Sequence, residues 1–263
     1  MKRLFVFAAV VAMACAGPAA AGVYSSNFES EPLGTLPAGW YVAWPWWGNS
    51  GPVTAEVAAA PGGGQAMKIV WGTDWASYGD PFSSGEAGVD VDMTGIDGSN
   101  AIMQVSYDFY KQNWRVWQVF GDQSWFPPGG LHMNDDPNKP NQMSVGTDDY
   151  DDVTKHLYDV PENAWIHVDT YYNSGTGEWQ TRVTYAGGSG GGTFSGVYAN
   201  PAAIVGQHWW GGWAFKSTMD AAPNGGIYEN ALYIDNLTFS VIPEPASLAL
   251  LALGGLALLR RRS

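Results

Sequence analysis

The segments Trp165-Ile166-His167-Val168-Asp169-Thr170-Tyr171-Tyr172 and Glu178-Trp179-Gln180-Thr181-Arg182-Val183-Thr184-Tyr185 flank Asn173-Ser174-Gly175-Thr176-Gly177. In the first, Ile166, Val168, Thr170 and Tyr172 fall on one face at a period of two; in the second, Trp179, Thr181, Val183 and Tyr185 do the same. Strand side chains alternate between faces, and Asn, Ser and Gly supply the backbone freedom of a turn. The stretch 165–185 therefore predicts a β-hairpin with one buried face.

The same period recurs on both sides of it. Met103, Val105, Tyr107 and Phe109 alternate with Gln104, Ser106 and Asp108. Residues Ala66–Val70, Arg115–Phe120 and Ala231–Val241 read as further strands. Helical periodicity is weak, and 34 Gly with 16 Pro exclude a helical bundle, whose interiors reject both residues. The run Gly187-Gly188-Ser189-Gly190-Gly191-Gly192 reads as a flexible loop. The expected fold class is all-β, a jelly-roll β-sandwich over residues 22–241, with a signal helix before it and an apolar helix after it.

The 25 acidic and 12 basic side chains give a net charge of −13. No basic face is available to meet phosphates, so nucleic acid is excluded as a partner. The chain has one cysteine, Cys15, which rules out a disulfide framework or a multi-cysteine zinc site.

The ends differ from the body. Lys2 and Arg3 precede an apolar run from Leu4 to Ala16, and Ala19-Ala20-Ala21 closes the segment. A charged start, a short apolar core and small residues at the end make residues 1–21 a secretory signal peptide, removed by signal peptidase to leave Gly22 first. The opposite end reads Ile242-Pro243-Glu244-Pro245, then an apolar stretch from Ala246 to Leu259, then Arg260-Arg261-Arg262-Ser263. As a helix the apolar stretch spans about 21 Å, short for a hydrocarbon core of about 30 Å. It suits transient insertion in the inner membrane, with the three arginines cytoplasmic and the body outside.

Pro243-Glu244-Pro245, a short Leu/Ala/Gly-rich segment and the cluster Arg260, Arg261 and Arg262 resemble the PEP-CTERM sorting signal over residues 242–263. The resemblance implies recognition by an exosortase, removal of the tail, and release to the cell surface or an extracellular polysaccharide matrix. More loosely, the body is similar to concanavalin-A-like and laminin-G-like jelly rolls. The opening Asn27-Phe28-Glu29 with Leu36-Pro37-Ala38-Gly39-Trp40, the stretch Trp165–Val168, and the ending Tyr233-Ile234-Asp235-Asn236-Leu237 carry that likeness. Such folds host lectins, glycanases and structural modules, so the fold alone assigns no activity.

Chemical motifs are sparse. Catalytic members of that fold class carry Glu-x-Asp-x-x-Glu on one strand, and no Glu-x-Asp occurs here. Gly187-x-Ser189-x-Gly191 matches a nucleophile elbow only literally, inside a polyglycine run. Asp90-Val91-Asp92-Met93-Thr94-Gly95 starts like a calcium loop, but Ala101 stands at the twelfth position. His132, His156, His167 and His208 lack metal-ligand spacing. The acid-rich segment 135–162 reads as a solvated loop, with a calcium loop as its functional alternative.

Two candidate sites remain. Tyr233, Asp235, Leu237, Phe239 and Val241 share one strand face, which the apolar members suit to the core. A core carboxylate must be paired or metal-bound, so Asp235, with Glu29 from the opposite chain end, is the expected ligand pair of a structural calcium. A strand that faces solvent at Asp235, or a local bulge that turns it outward, is the alternative. The clusters Trp44-Pro45-Trp46-Trp47 and Trp209-Trp210-Gly211-Gly212-Trp213 place adjacent rings on one strand. One of each pair cannot enter the same core, which makes Trp46, Trp47, Trp209 and Trp210 a candidate stacking platform for neutral polysaccharide. Filling the inter-sheet space is the competing use. The reading is an exported, surface-sorted β-sandwich that leans away from catalysis and toward glycan binding. A polysaccharide-degrading enzyme with carboxylates on distant strands, or a structural matrix protein, are the alternatives.

Overall fold

A computed structural model describes residues 21–43, 53–71, 84–91, 101–111, 116–120, 131–133, 142–146, 155–173, 175–197, 209–216 and 231–243. Its strands are β1 (Ala21–Ser26), β2 (Trp40–Ala43), β3 (Val53–Ala59), β4 (Gln65–Trp71), β5 (Ser84–Val91), β6 (Ala101–Lys111), β7 (Val116–Phe120), β8 (Leu131–Met133), β9 (Met143–Val145), β10 (His156–Leu157), β11 (Trp165–Asn173), β12 (Glu178–Tyr185), β13 (Gly191–Val197), β14 (Trp209–Lys216) and β15 (Ala231–Pro243). They form two sheets, one ordered β13-β12-β11-β6-β15-β4-β3 with β1 also on β15, the other β10-β9-β8-β7-β14-β5-β2. The β1–β15, β6–β15, β11–β6 and β14–β5 ladders, like their neighbours, are antiparallel. The chain crosses between sheets along its length, giving the expected all-β jelly-roll sandwich. The signal helix and the apolar tail helix lie outside the described residues.

The hairpin forms as its alternation dictates. Ile166 pairs with Tyr185 and Tyr172 with Trp179. Ile166, Val168, Thr170, Tyr172, Trp179, Thr181, Val183 and Tyr185 are all buried. Asn173 closes the turn by accepting the Gly175 and Thr176 amides at 2.9 and 3.2 Å, an Asx turn. The two hydroxyls this face carries inward, Thr170 and Thr181, bond each other at 3.2 Å, so neither needs water. Met103, Val105, Tyr107 and Phe109 of β6 are buried too, as the alternation predicts.

β15 departs from the sequence reading. Leu232 and Ile234 are fully buried in the inter-sheet core, and so, three residues on, are Leu237 and Phe239. The parity changes because a bulge separates Asp235 from Thr238 in the β6 ladder and Asn236 sits at φ +50°. Two residues on the bulged strand take the place of one, so the alternation restarts on the other parity. The expectation that Tyr233, Asp235, Leu237, Phe239 and Val241 share one face is thereby corrected. Asp235 instead lies opposite Asp108, whose neighbours Tyr107 and Phe109 fill the core.

The bulge has a second role. β6 pairs along nearly the whole of β15. On the other edge β4 takes Ala231–Ile234 and β1 takes Leu237–Val241. The bulge sits at the gap between those partners. Phe28, at the exit from β1, is fully buried there at φ +58° and meets Trp40 edge-on at 5.8 Å. A left-handed backbone costs about 1–2 kcal/mol for a non-glycine residue, and burying a phenylalanine returns about 1.5–3 kcal/mol. The Phe28 amide also donates to Ser26 Oγ at 3.0 Å.

The polyglycine run is a second correction. Ala186–Gly188 forms a 3-10 turn, and Gly191 and Gly192 already belong to β13, paired with Thr184 and Val183. A Cβ at Gly191 would fall 2.0 Å from the Val183 carbonyl oxygen, at φ +125°. Glycine is required by a close backbone approach there, which composition cannot distinguish from flexibility.

Candidate functional site

The outer face of the first sheet carries two rows that the ladder brings together. In one, Tyr233, Tyr110 and Trp165 occupy paired positions on β15, β6 and β11. Their ring centroids stand 6.0 and 5.5 Å apart, and Trp165 Nε1 donates to the Pro61 carbonyl at 2.9 Å. With Ala60, Ala66 and Ala231 they make a small apolar layer under the β3–β4 turn.

The next row is polar. Asp235, Asp108 and His167 are paired in register across the same three strands. His167 Nδ1 and Asp108 Oδ1 are 2.6 Å apart, and His167 Nε2 lies 3.2 Å from Asp169 Oδ2. Asn236 Nδ2 donates to Asp108 Oδ2 at 2.7 Å, so one carboxylate ties the bulge to the hairpin. Burial alone would depress the His167 imidazolium; the hydrogen bond to Asp108 and the charges of Asp169 and Asp108 outweigh it and raise its pKa. Asp235 is also raised. Burial is the main cause, the Asn236 amide opposes it at 2.7 Å, and the charges of Asp108 and Glu29 add to the rise.

The structure thus brings Glu29 and Asp235 into one electrostatic neighbourhood. Their oxygens are partly committed: Glu29 Oε1 accepts the Gln65 amide at 2.9 Å, and both Asp108 oxygens are used. Among the described residues no three His, Cys, Asp or Glu side chains converge as a metal site. Calcium takes six to eight oxygens, so at this pair backbone carbonyls and water would have to supply the rest. The fit is incomplete.

A polar notch of about 390 Å³ adjoins the bulge on the β1 side. Ser25, Ser26, Asn27, Ser30, Glu31, Asn236 and Thr238 line it. Ser25 Oγ and Thr238 Oγ1 are 3.3 Å apart across the β1–β15 ladder. Tyr24, alongside, accepts the Trp40 Nε1–H on its hydroxyl oxygen at 2.8 Å. Burial raises its pKa, bonds from Trp40 and Ser26 oppose that, and the Glu31 charge adds to it.

Of the sequence-derived candidates, Trp209 and Trp210 lie on β14 opposite Val91 and Asp90, and Pro243 ends β15. Trp46, Trp47, Glu244, Pro245, Arg260, Arg261 and Arg262 lie outside the described residues, as do the side chains of Trp209 and Trp210. His132 and His156 are strand residues, and His208 is outside. Among the described residues no Asp or Glu lies in the inter-sheet core. The Asp108–His167 pair and the notch were not foreseen from sequence. Strand alternation marks Asp108 and His167 as outward-facing, but 59 residues separate them and only the β11–β6 register joins them.

No curated protein matches this sequence. Solved structures similar to it include lectin I from Ulex europaeus in complex with the methyl glycoside of α-L-fucose. It is 8% identical, with 78% of this chain and 99% of that chain covered, at a TM-score of 0.48. A Lotus tetragonolobus seed lectin is 12% identical, covering 80% and 96% at 0.47, and peanut lectin with a 9mer peptide is 15% identical, covering 78% and 98% at 0.46. At such identities and scores the likeness carries no functional inference. The tail is more telling. Residues 241–263 match the PEP-CTERM protein-sorting motif, so this chain ends in a PEP-CTERM signal, the mark of a protein exported through a membrane-anchored intermediate and processed by an exosortase.

Proposed function

We propose that the protein is a non-catalytic β-sandwich delivered to the cell surface or to an extracellular polysaccharide matrix, where it holds neutral glycan. The observation that carries this reading is the sorting motif at the C-terminus, which begins within β15. The composition of the notch supports the ligand class. Four hydroxyls, two carboxamides and one carboxylate line it, the groups that pair with sugar hydroxyls. Residues 22–242 carry 24 acids and 7 bases, so long-range attraction works against acidic glycans. Trp46, Trp47, Trp209 and Trp210 supply stacking surface in this proposal.

Titration of the tailless body with a panel of neutral polysaccharides, followed by tryptophan fluorescence and calorimetry, tests it. Binding should be weak and nearly independent of salt. Thr238→Val or Ser30→Ala should weaken it if the notch is the site; Trp209→Ala or Trp210→Ala should weaken it if the rings are. A broad panel without binding removes the glycan reading and leaves the exported module.

A further inference from the structure

β15 does not stop before the sorting motif. Val241, Ile242 and Pro243 pair with Met103, Ile102 and Ala101 of β6; the single rung on the other edge, Val241 with Ala21 of β1, involves a residue of the segment read as a signal peptide. The motif match starts at Val241. The first residues of the sorting signal are therefore rungs of the β15–β6 ladder. Only Glu244 and Pro245 separate that strand from the apolar stretch that opens at Ala246. Two residues reach about 7 Å at full extension. In a body tethered by that stretch, these two residues are all the linker the sequence leaves after the strand.

A protein-cleaving enzyme takes its substrate as an extended segment and makes the backbone hydrogen bonds itself. Residues already bonded within a sheet cannot offer those groups. Cleavage passes the acyl carbon of one peptide bond in this segment to water or an amine. The tail leaves with the new amino group, which takes up the proton. The acyl side of that bond is the chain that runs back into β15.

We propose that the end of β15 is a strap: Val241–Pro243 must leave their ladder with β6 before the membrane-embedded enzyme can take the motif, so the folded body gates its own release. This rests on the sorting reading. Local opening of strand ends is a normal low-energy fluctuation, and cleavage then follows the population of the open form. Each ladder hydrogen bond that must open lowers that population by about fivefold. The gate is thus expected to slow release by one to two orders of magnitude relative to a slack tail.

The test uses the full chain, expressed in cells that process such tails, with tailed and tailless forms separated by pulse-chase and mass. Ile102→Cys with Ile242→Cys places thiols at directly paired positions, and an exported compartment favours their oxidation. The one native cysteine, Cys15, falls in the segment read as a signal peptide, and a Cys15→Ser background keeps it from competing. The double variant should lose its tail at least tenfold more slowly than either single-cysteine variant. A Gly-Ser-Gly-Ser insert between Ile242 and Pro243 should speed processing severalfold and abolish the effect of the disulfide. Equal rates for the double and single variants, with the disulfide confirmed by mass, overturn the gate. If the double variant does not fold, the insert decides: an unchanged rate with the insert overturns it too. Replacing Pro243, Glu244 and Pro245 with alanine separates the two readings. Unchanged release there refutes the sorting reading itself, whereas retention there with a failed lock refutes only the gate.

Discussion

Asp108 joins two otherwise separate parts of the sandwich, and its removal has a calculable, pH-dependent effect. The carboxylate meets His167 Nδ1 at 2.6 Å and Asn236 Nδ2 at 2.7 Å. At 2.6 Å two unit charges in water attract by about 1.6 kcal/mol. The side chains of His167 and Asp108 are 42% and 25% exposed, so solvent screening and ordering leave about 0.5–1 kcal/mol for the ion pair. The amide bond to Asn236 adds about 1 kcal/mol. Asp108→Ala should therefore cost about 1–2 kcal/mol at pH 5, or roughly 2–8 °C for a domain of this size. The His167 pKa is raised in the fold, so the folded state holds its proton more tightly than the unfolded chain. That stability is fully present below the unfolded value of about 6.5 and fades as pH rises through the higher folded value. A double-mutant cycle of Asp108→Ala and His167→Ala, by thermal and urea unfolding at pH 5 and pH 9, should give a coupling of about 0.5–1 kcal/mol at the lower pH and less at the higher. A coupling that is equal at both values, or larger at pH 9, refutes the ion-pair account.

Asp235→Asn removes a half-buried carboxylate whose pKa is raised, burial being the first cause and the Asp108 and Glu29 charges additional ones. Its ionisation weakens the native state as pH rises from the unfolded value near 4, so the substitution should stabilise the domain by a few tenths of a kcal/mol or more at pH 7 and leave it unchanged near pH 3. Chelation tests the calcium proposal for Glu29 and Asp235: an ion bound only to the native state adds about 2.7 kcal/mol at a hundredfold excess over Kd. Calcium should then raise Tm and Asp235→Ala should erase the rise; identical melts with calcium and with chelator reject the site. Phe28→Ala empties a fully buried position and keeps the left-handed backbone, so urea unfolding should show a loss of about 3–5 kcal/mol. A loss under 1 kcal/mol would show that the Phe28–Trp40 contact does not hold the β1 exit in place.

The sequence by itself determined the class of the fold and the presence of a C-terminal sorting motif. Where a strand is regular, period two and burial on one side are the same fact, so the inward faces of β6, β11 and β12 were legible residue by residue. Pro243-Glu244-Pro245 and the arginine cluster were equally legible, because a sorting signal is read as a linear string. The tertiary structure decided what depends on partners distant in the chain. Nothing in Tyr233-Ile234-Asp235-Asn236-Leu237 announces that β4 pairs with its first half and β1 begins at Leu237, yet that change of neighbour accompanies the bulge that turns Asp235 outward. Gly191 looks like part of a loose loop until the Val183 carbonyl is beside it. Asp108 and His167 become one unit only through the register of β6 against β11. That register is fixed by burying whole faces of strands, since a one-residue slip would expose every inward side chain, and such a collective constraint is carried by no local stretch of sequence.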